Sequence, residues 1–161
     1  MRTGMLTMRV GRLVIPAVLL VVAVAGCGAR VPEGQMAADA MNQEYRDAVA
    51  AFPFELPTGV EFPASVDDCQ AGETWVYQTG YGEMKAYFFA ETAWACAAIK
   101  AHASGDAGES HALDMMQQVH ASPGFQAYFE DPDGQWQKVL DKARLGDYTD
   151  FAPSYGCEQF G

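Results

Sequence analysis

The sequence predicts a mainly α-helical domain with four or five helices packed around one central helix, and three observations support this fold class. Apolar residues recur at helical spacing over residues 36–52 and again after residue 107. The stretch at about 83–102 is apolar around most of its circumference, which is typical of a helix buried on several sides. Two X-Pro pairs then indicate further helix starts. A helical domain with a small β-hairpin is the alternative.

The first predicted helix covers residues 36–52 and is followed by a proline-rich segment. The apolar positions of the helix share one face: Met41, Tyr45, Ala48, Val49 and Phe52. Pro53 ends the helix, and Pro57 and Pro63 exclude a regular helix after it. We therefore expect extended chain wrapped over the domain, with short strands at 60–62 and 75–78.

The central helix is predicted at about 83–102. Its expected core residues are Tyr87, Phe88, Trp94, Ala95, Ala98 and Ile99, and its alanines allow neighbouring helices to approach closely. The sequence Ser104-Gly105-Asp106 ends it.

Three helices are predicted after the central one. The first spans 107–120 and buries Ala112, Met116 and Val119. Ser122-Pro123 supplies an N-cap and a first helical proline for a short helix through Phe129, and Asp131-Pro132 repeats that signature. Apolar side chains follow at helical spacing, and a C-cap glycine closes this last helix: Trp136, Val139, Leu140, Ala143 and Gly146.

The N-terminus has the pattern of an export signal. Arg2, Arg9 and Arg12 precede an uncharged run over 13–26. A membrane-spanning helix needs about 20 apolar residues, whereas a run of roughly 10 to 14 is typical of a signal peptide. The run therefore predicts a cleaved address, with an uncleaved anchor as the alternative.

The end of that run, Val24-Ala25-Gly26-Cys27, resembles the lipobox of bacterial lipoproteins. The resemblance implies cleavage before Cys27 and a diacylglyceryl group on its thiol, a lipid modification of the palmitate class. The protein would then be anchored to the extracytoplasmic face of the cell membrane. Ordinary secretory cleavage is the other reading. The predicted organisation is a signal peptide at 1–26, a linker at 27–35 and one acidic domain at 36–161.

Charge and cysteines restrict the partners and the compartment. Loss of the signal peptide leaves seven of the ten Lys and Arg residues against 21 acids, a surface that excludes nucleic-acid binding. Export permits disulfides. We predict Cys96–Cys157, because it would attach the C-terminal tail to the central helix, with Cys69–Cys157 as the rival pairing.

Metal binding is the less favoured reading of four residues. His111 and Met115, and Met116 and His120, share faces at i, i+4, and imidazole with thioether suits Cu(I). Methionines on an amphipathic helix more often fill a core. We therefore predict no metal site and no cofactor.

Other motifs favour structural roles. Asp131-Pro132-Asp133-Gly134 departs from the calcium-loop pattern and is better explained by helix capping. Residues 79–82 (Thr-Gly-Tyr-Gly) favour a turn over an anion cradle. Neighbouring side chains on a helix point in different directions, so Ser110 and His111 would not meet, although Asp114 is nearby. We therefore predict no catalytic residue.

The rest of the chain is similar to small actinobacterial lipoproteins of unassigned function, in "AYFFAETAWACA" and "DPDGQWQKVLDKARLGD". The leading hypothesis is a non-enzymatic, lipid-anchored module that binds an envelope protein or ligand. An enzyme acting on cell-wall or extracellular substrate and a copper-binding lipoprotein are the alternatives. A binding module should expose an apolar surface, whereas an enzyme should gather ionisable groups in a pocket.

Overall fold

The computed structural model describes residues 33–66 and 75–160, and these fold around one long helix. The chain order of strands and helices is β1 (Gln35–Ala37), α1 (Ala38–Ala50), β2 (Val76–Gln78), α2 (Tyr81–Ser104), α3 (Glu109–His120), α4 (Pro123–Gln126) and α5 (Gln135–Arg144). Short 3-10 helices follow at Ala152–Ser154 and Glu158–Phe160. The predicted fold class, mainly helical with four or five helices, is confirmed, because the described residues form five α-helices and one pair of short strands. The predicted signal peptide at 1–26, Cys27 and Cys69 lie outside the described residues.

The central position of α2 is confirmed, because α1, α3 and α4 all pack against it. Small residues dominate its buried positions, which lets the neighbouring helices approach closely. Of its predicted core residues, Trp94, Ala95 and Ala98 are buried, while Tyr87, Phe88 and Ile99 are half-buried against the core. One stripe of α2 is therefore less covered than the sequence alone indicates.

Two short strands form an antiparallel pair in which Gln35 lies opposite Gln78 and Ala37 opposite Val76. The prediction of a strand at 75–78 is nearly right. The strand predicted at 60–62 is wrong, because that segment pairs with no strand of the described chain. The first strand instead begins at Gln35, inside the predicted linker, so α1 starts two residues later than predicted. The two strands do not form a hairpin, because α1 separates them along the chain.

The helix ends after α3 follow the sequence signals with two corrections, of which the first is that α4 ends at Gln126 and not at the predicted Phe129. Ser122 accepts a hydrogen bond from the Phe125 amide at 3.3 Å, as expected for an N-cap. Asp131 does not immediately precede its helix, because a turn separates it from the start of α5. Its carboxylate nevertheless accepts hydrogen bonds from the backbone amides of Gln135 and Trp136, at 2.7 and 3.0 Å. The capping role is thus confirmed across a turn rather than at the cap position itself.

Over its described residues, 53–66, the proline-rich segment contains no regular helix, as predicted, and it packs against α2, with one turn in which the Val60 amide donates to the Pro57 carbonyl at 3.0 Å. Near its start, the Trp94 indole donates a hydrogen bond to the Glu55 carbonyl at 2.9 Å. Near residue 66, the Val66 amide donates to the Asn42 side chain at 2.7 Å. The Phe52 and Phe62 rings pack edge to face with centroids 5.2 Å apart. The segment is therefore held to both α1 and α2.

No helix within 33–66 or 75–160 is both long and apolar enough to cross a bilayer. The 24-residue α2 contains acidic and basic residues along its length.

The contact between α1 and α2 depends on the absence of a side chain at Gly82. A Cβ there would lie 2.6 Å from the Tyr45 amide nitrogen and closer still to the Met41 carbonyl oxygen. We expect Gly82→Ala to lower the free energy of unfolding by about 2–3 kcal/mol, because the backbone atoms of α1 cannot move aside as the end of a flexible side chain could. Urea denaturation followed by circular dichroism measures this change.

Gly108→Ala is the matched control. Gly108 has a φ of −73°, which any residue can adopt, and its Cβ would meet only the exposed Asp106 carboxylate at 3.0 Å. We expect a change of less than about 1 kcal/mol there. Equal losses in the two variants would contradict the close approach of α1 to α2.

Candidate functional site

A buried carboxylate lies in the middle of α2. Glu91 is 4% exposed, and its Oε1 accepts hydrogen bonds from the Trp136 indole at 2.8 Å and from the Tyr155 hydroxyl at 2.9 Å. His120 Nδ1 lies 3.6 Å from the same oxygen. We call these four residues the Glu91 cluster. They bring together α2, α3, α5 and the C-terminal segment.

The His120 ring is held by aromatic contacts on several sides. It stacks on Trp136 with centroids 3.4 Å apart and an interplanar angle of 10°. It also contacts Phe125 and Phe129, at centroid distances of 4.6 and 4.7 Å. Its Nδ1 is buried without a hydrogen-bond partner, since 3.6 Å to Glu91 exceeds hydrogen-bond range. The ring therefore acts here mainly as a stacking surface.

The Glu91 cluster is chemically suited to holding the fold together. Burial, followed by the charge of Glu91 and the hydrogen bond to it, raises the pKa of the Tyr155 hydroxyl, which stays protonated as a donor. Two neutral donors and a buried carboxylate satisfy one another in this arrangement. Because Glu91 and His120 are both at least nine-tenths buried, neither side chain is available to a ligand in solution.

A groove follows one side of α2 between the proline-rich segment and the C-terminal tail, and we call it the α2 groove. It consists of three adjoining cavities of about 310, 350 and 230 Å³. Pro63, Phe89 and Gln159 line both the first and the second cavity. Val60 and Phe160 line both the second and the third. The shared residues place the three cavities next to one another along α2.

The floor of the α2 groove is a single stripe of the helix. Its residues recur at spacings of three and four: Lys85, Phe88, Phe89, Thr92, Ala93, Cys96, Ala97, Ile99, Lys100 and Ala103. At 1.5 Å per residue this stripe is about 27 Å long.

The tail that forms one wall is attached to the floor. A disulfide joins Cys96 to Cys157 with their Cα atoms 5.5 Å apart, which confirms the predicted pairing over the rival one. The Phe160 ring packs on Phe89 with centroids 5.3 Å apart. The wall position thus depends on one covalent and one aromatic contact.

The two ends of the α2 groove differ in polarity. At the Lys85 end, Ser65, Thr92 and Gln159 provide hydroxyl and amide groups. The disulfide end is lined mostly by apolar side chains, among them Val60, Ala93, Ala97 and Ile99, with Lys100 beside them. The charged residues along its described lining are Lys85, Lys100 and Glu61, and the Lys85 ammonium lies over the Tyr81 ring, 5.8 Å from its centroid.

The glycines at the start of α2, Gly80 and Gly82, do not form an open anion site. The Glu44 carboxylate accepts hydrogen bonds from the backbone amides of Gly80 and Gly82, each at 2.8 Å. It therefore occupies the position that an anion would take. Tyr128 packs against Gly80 and donates to Glu83 at 2.7 Å. Burial, followed by the hydrogen bond to Glu83, raises the pKa of Tyr128 to about 12.

The four residues considered for copper lie in different surroundings. His111 is exposed and packs edge-on against Trp94 at 5.5 Å, while Met115 is half-buried. Met116 is completely buried in the core, and His120 belongs to the Glu91 cluster. Within the described part of the chain, no three His, Cys, Asp or Glu residues are grouped to hold a metal ion.

Sequence reasoning missed both Glu91 and the groove. Glu91 is the only charged residue between Lys85 and Lys100 in a helix that is apolar on all sides. A charge in such a helix must be buried and paired, and that signal could have identified it. Nothing in the local pattern distinguishes the groove stripe from the buried faces of α2.

Comparison with known proteins leaves the site to be interpreted from its own geometry. No protein family, no curated protein and no solved structure matches this chain.

Proposed function

We propose that the chain is a lipid-anchored extracytoplasmic protein whose α2 groove binds a ligand or partner of the cell envelope. The sequence Val24-Ala25-Gly26-Cys27 supports the anchor. The Cys96–Cys157 disulfide supports an oxidising compartment, because structural disulfides are rare in the cytosol.

The α2 groove is the observation on which the binding role depends. Two of its three cavities reach the size of small-molecule sites, about 300 Å³ and upwards, and both combine apolar side chains with polar ones. The Glu91 cluster offers less to a ligand, because its carboxylate is buried and already accepts two hydrogen bonds. This contrast favours binding over catalysis.

The short connection to the anchor supports a role at the membrane. The domain begins with β1 at Gln35, and the segment 27–35 reaches at most about 30 Å when fully extended. A diacylglyceryl group supplies the two chains that stable anchoring requires. The α2 groove would then work within a few nanometres of the lipid surface.

We expect Cys27→Ser to release the protein from the membrane fraction and to abolish labelling by a radioactive fatty acid, because serine offers no thiol for lipid transfer. Cell fractionation and lipid labelling measure these changes. Cys69→Ser is the matched control and should stay labelled and membrane-bound. Full membrane retention of the Cys27 variant would overturn the proposed anchor.

A further inference from the structure

We infer that the first cavity of the α2 groove, the one of about 310 Å³ at the Lys85 end, binds a neutral sugar ring. A free sugar and the terminal unit of a glycan chain share this chemistry. The inference rests on the proposed binding role of the groove and adds the chemical class of its ligand.

A buried tyrosine lines the first cavity without a hydrogen bond to its hydroxyl. Tyr45 is 2% exposed, and no described residue forms a hydrogen bond with its hydroxyl. The hydroxyls of Tyr148 and Tyr155 differ, because they donate to Glu109 and Glu91. Burial raises the pKa of Tyr45, so its hydroxyl stays protonated and can donate. Buried polar groups are normally paired, and a ligand hydroxyl in the cavity would pair with this one.

Two further polar side chains of the cavity can bond in both directions. Thr92 supplies a hydroxyl from α2, and Gln159 supplies a carboxamide from the tail. Hydroxyls and carboxamides both donate and accept hydrogen bonds, as the hydroxyls of a sugar do. Ser65 and Lys85 also line the cavity, but both already interact with other groups of the protein. The polar groups that remain for a ligand are therefore neutral.

Charge disfavours an ionised ligand of either sign. Acids outnumber basic residues by 21 to ten in the whole chain, so most of the surface repels an anion. The Lys85 ammonium already lies over the Tyr81 ring, and its positive charge disfavours a cation in the same cavity. A neutral ligand avoids both penalties.

The rest of the lining is carbon, which suits the faces of a sugar ring. Aromatic, proline and valine side chains supply it: Tyr45, Pro63, Val66, Phe88 and Phe89. A sugar ring has C–H groups on its faces and hydroxyls around its edge, so one molecule meets both kinds of lining. An aromatic ligand without hydroxyls would leave the polar groups of the cavity unpaired, which is costly on burial.

A row of aromatic rings limits the length of the ligand. Phe89 contacts both Phe62 and Phe160, with its centroid 5.3 Å from each of theirs. The first and third cavities share no lining residue. The row of rings thus crosses the groove between them, and the first cavity takes a compact ligand. The remainder of a glycan chain would lie in solvent.

The test is saturation-transfer NMR on the full chain, solubilised in a detergent that contains no sugar. The probes are methyl β-glucoside, methyl α-mannoside and methyl N-acetyl-β-glucosaminide. We expect at least one of them to bind with a Kd at least about tenfold lower than that of cyclohexanol, benzyl alcohol or glucuronic acid. A tetrasaccharide of the bound sugar distinguishes the two sources: its binding supports a glycan end, and its exclusion supports a free sugar.

Tyr45→Phe removes only the hydroxyl. We expect the Kd for the bound glycoside to rise about tenfold while the melting temperature stays that of the parent chain, because the hydroxyl has no hydrogen bond to the described protein. Tyr155→Phe is the matched control. It removes a hydroxyl that donates to Glu91 away from the cavity, so the melting temperature should fall and the Kd should stay unchanged.

Two blocking variants separate failure of this inference from failure of the proposed function. Thr92→Phe fills the first cavity and should abolish glycoside binding, whereas Ala97→Phe fills the third and should not. Glycoside binding that persists in Thr92→Phe overturns the sugar site. Binding of benzyl alcohol alone, lost in either variant, overturns the sugar but leaves the groove as a binding site. If neither variant changes the binding of any probe, the binding role of the groove is overturned as well.

Discussion

Glu91→Ala is expected to lower the free energy of unfolding by about 3–5 kcal/mol, because it leaves two hydrogen-bond donors without their acceptor and creates a cavity. The substitution removes the acceptor for the Trp136 indole and the Tyr155 hydroxyl. Each donor would then remain in the protein without a hydrogen-bond partner, and the lost side chain would leave a cavity. Urea denaturation of the parent and variant chains measures the difference.

Glu91→Gln tests whether the charge or the hydrogen bonds dominate. Its carboxamide oxygen can still accept from Trp136 and Tyr155, but neutral hydrogen bonds are about half as strong as charge-assisted ones. We therefore expect a loss of about 1–2 kcal/mol, smaller than that of Glu91→Ala.

Glu130→Ala is the matched control, because Glu130 is exposed. A surface substitution of this kind should change stability by less than about 0.5 kcal/mol. If Glu91→Ala cost no more than this control, the Glu91 cluster would not be holding α2, α5 and the C-terminal segment together.

The helices could be predicted from the sequence because their signals are local. Periodic apolar residues, Ser122 before Pro123, and Gly146 after the last turn each act within a few residues. Gly146 has a φ of +86°, and the Asp147 amide donates back to Lys142, which is the closing pattern expected of such a glycine. Helix ends of this kind need no knowledge of the rest of the fold.

The strands were harder to predict because their pairing is not local. β1 has three residues and forms only because β2, about 40 positions later, returns beside it. Residues 60–62 have similar alternation but lie between Pro57 and Pro63 and cross α2 instead of meeting another strand. Alternation alone could not separate these two outcomes.

The site could be predicted only in part. The Cys96–Cys157 pairing was favoured because it would attach the tail, and the structure confirms it. The groove exists because the proline-rich segment and the tail leave one stripe of α2 uncovered. How much of α2 they cover is decided by tertiary packing, which local sequence patterns do not reveal. The same disulfide that fixes the tail therefore also determines one wall of the groove.

Removal of that disulfide is expected to lower stability. The bridge spans 61 positions, and loss of such a link in the double variant Cys96→Ser/Cys157→Ser should cost about 2–4 kcal/mol, because the unfolded chain gains freedom. The wall formed by Gln159 and Phe160 would also lose its covalent attachment to α2. Urea denaturation of the parent chain and the double variant measures the loss of stability.

Cys69→Ser separates the observed bridge from its rival. Because Cys157 is bonded to Cys96, this variant should keep the parent stability and should still lose about 2–4 kcal/mol when a reductant is added. The double variant, in contrast, should be insensitive to reductant. If Cys69→Ser abolished the reductant effect, Cys69 rather than Cys96 would be the partner of Cys157, and the tail would no longer be fixed to the groove floor.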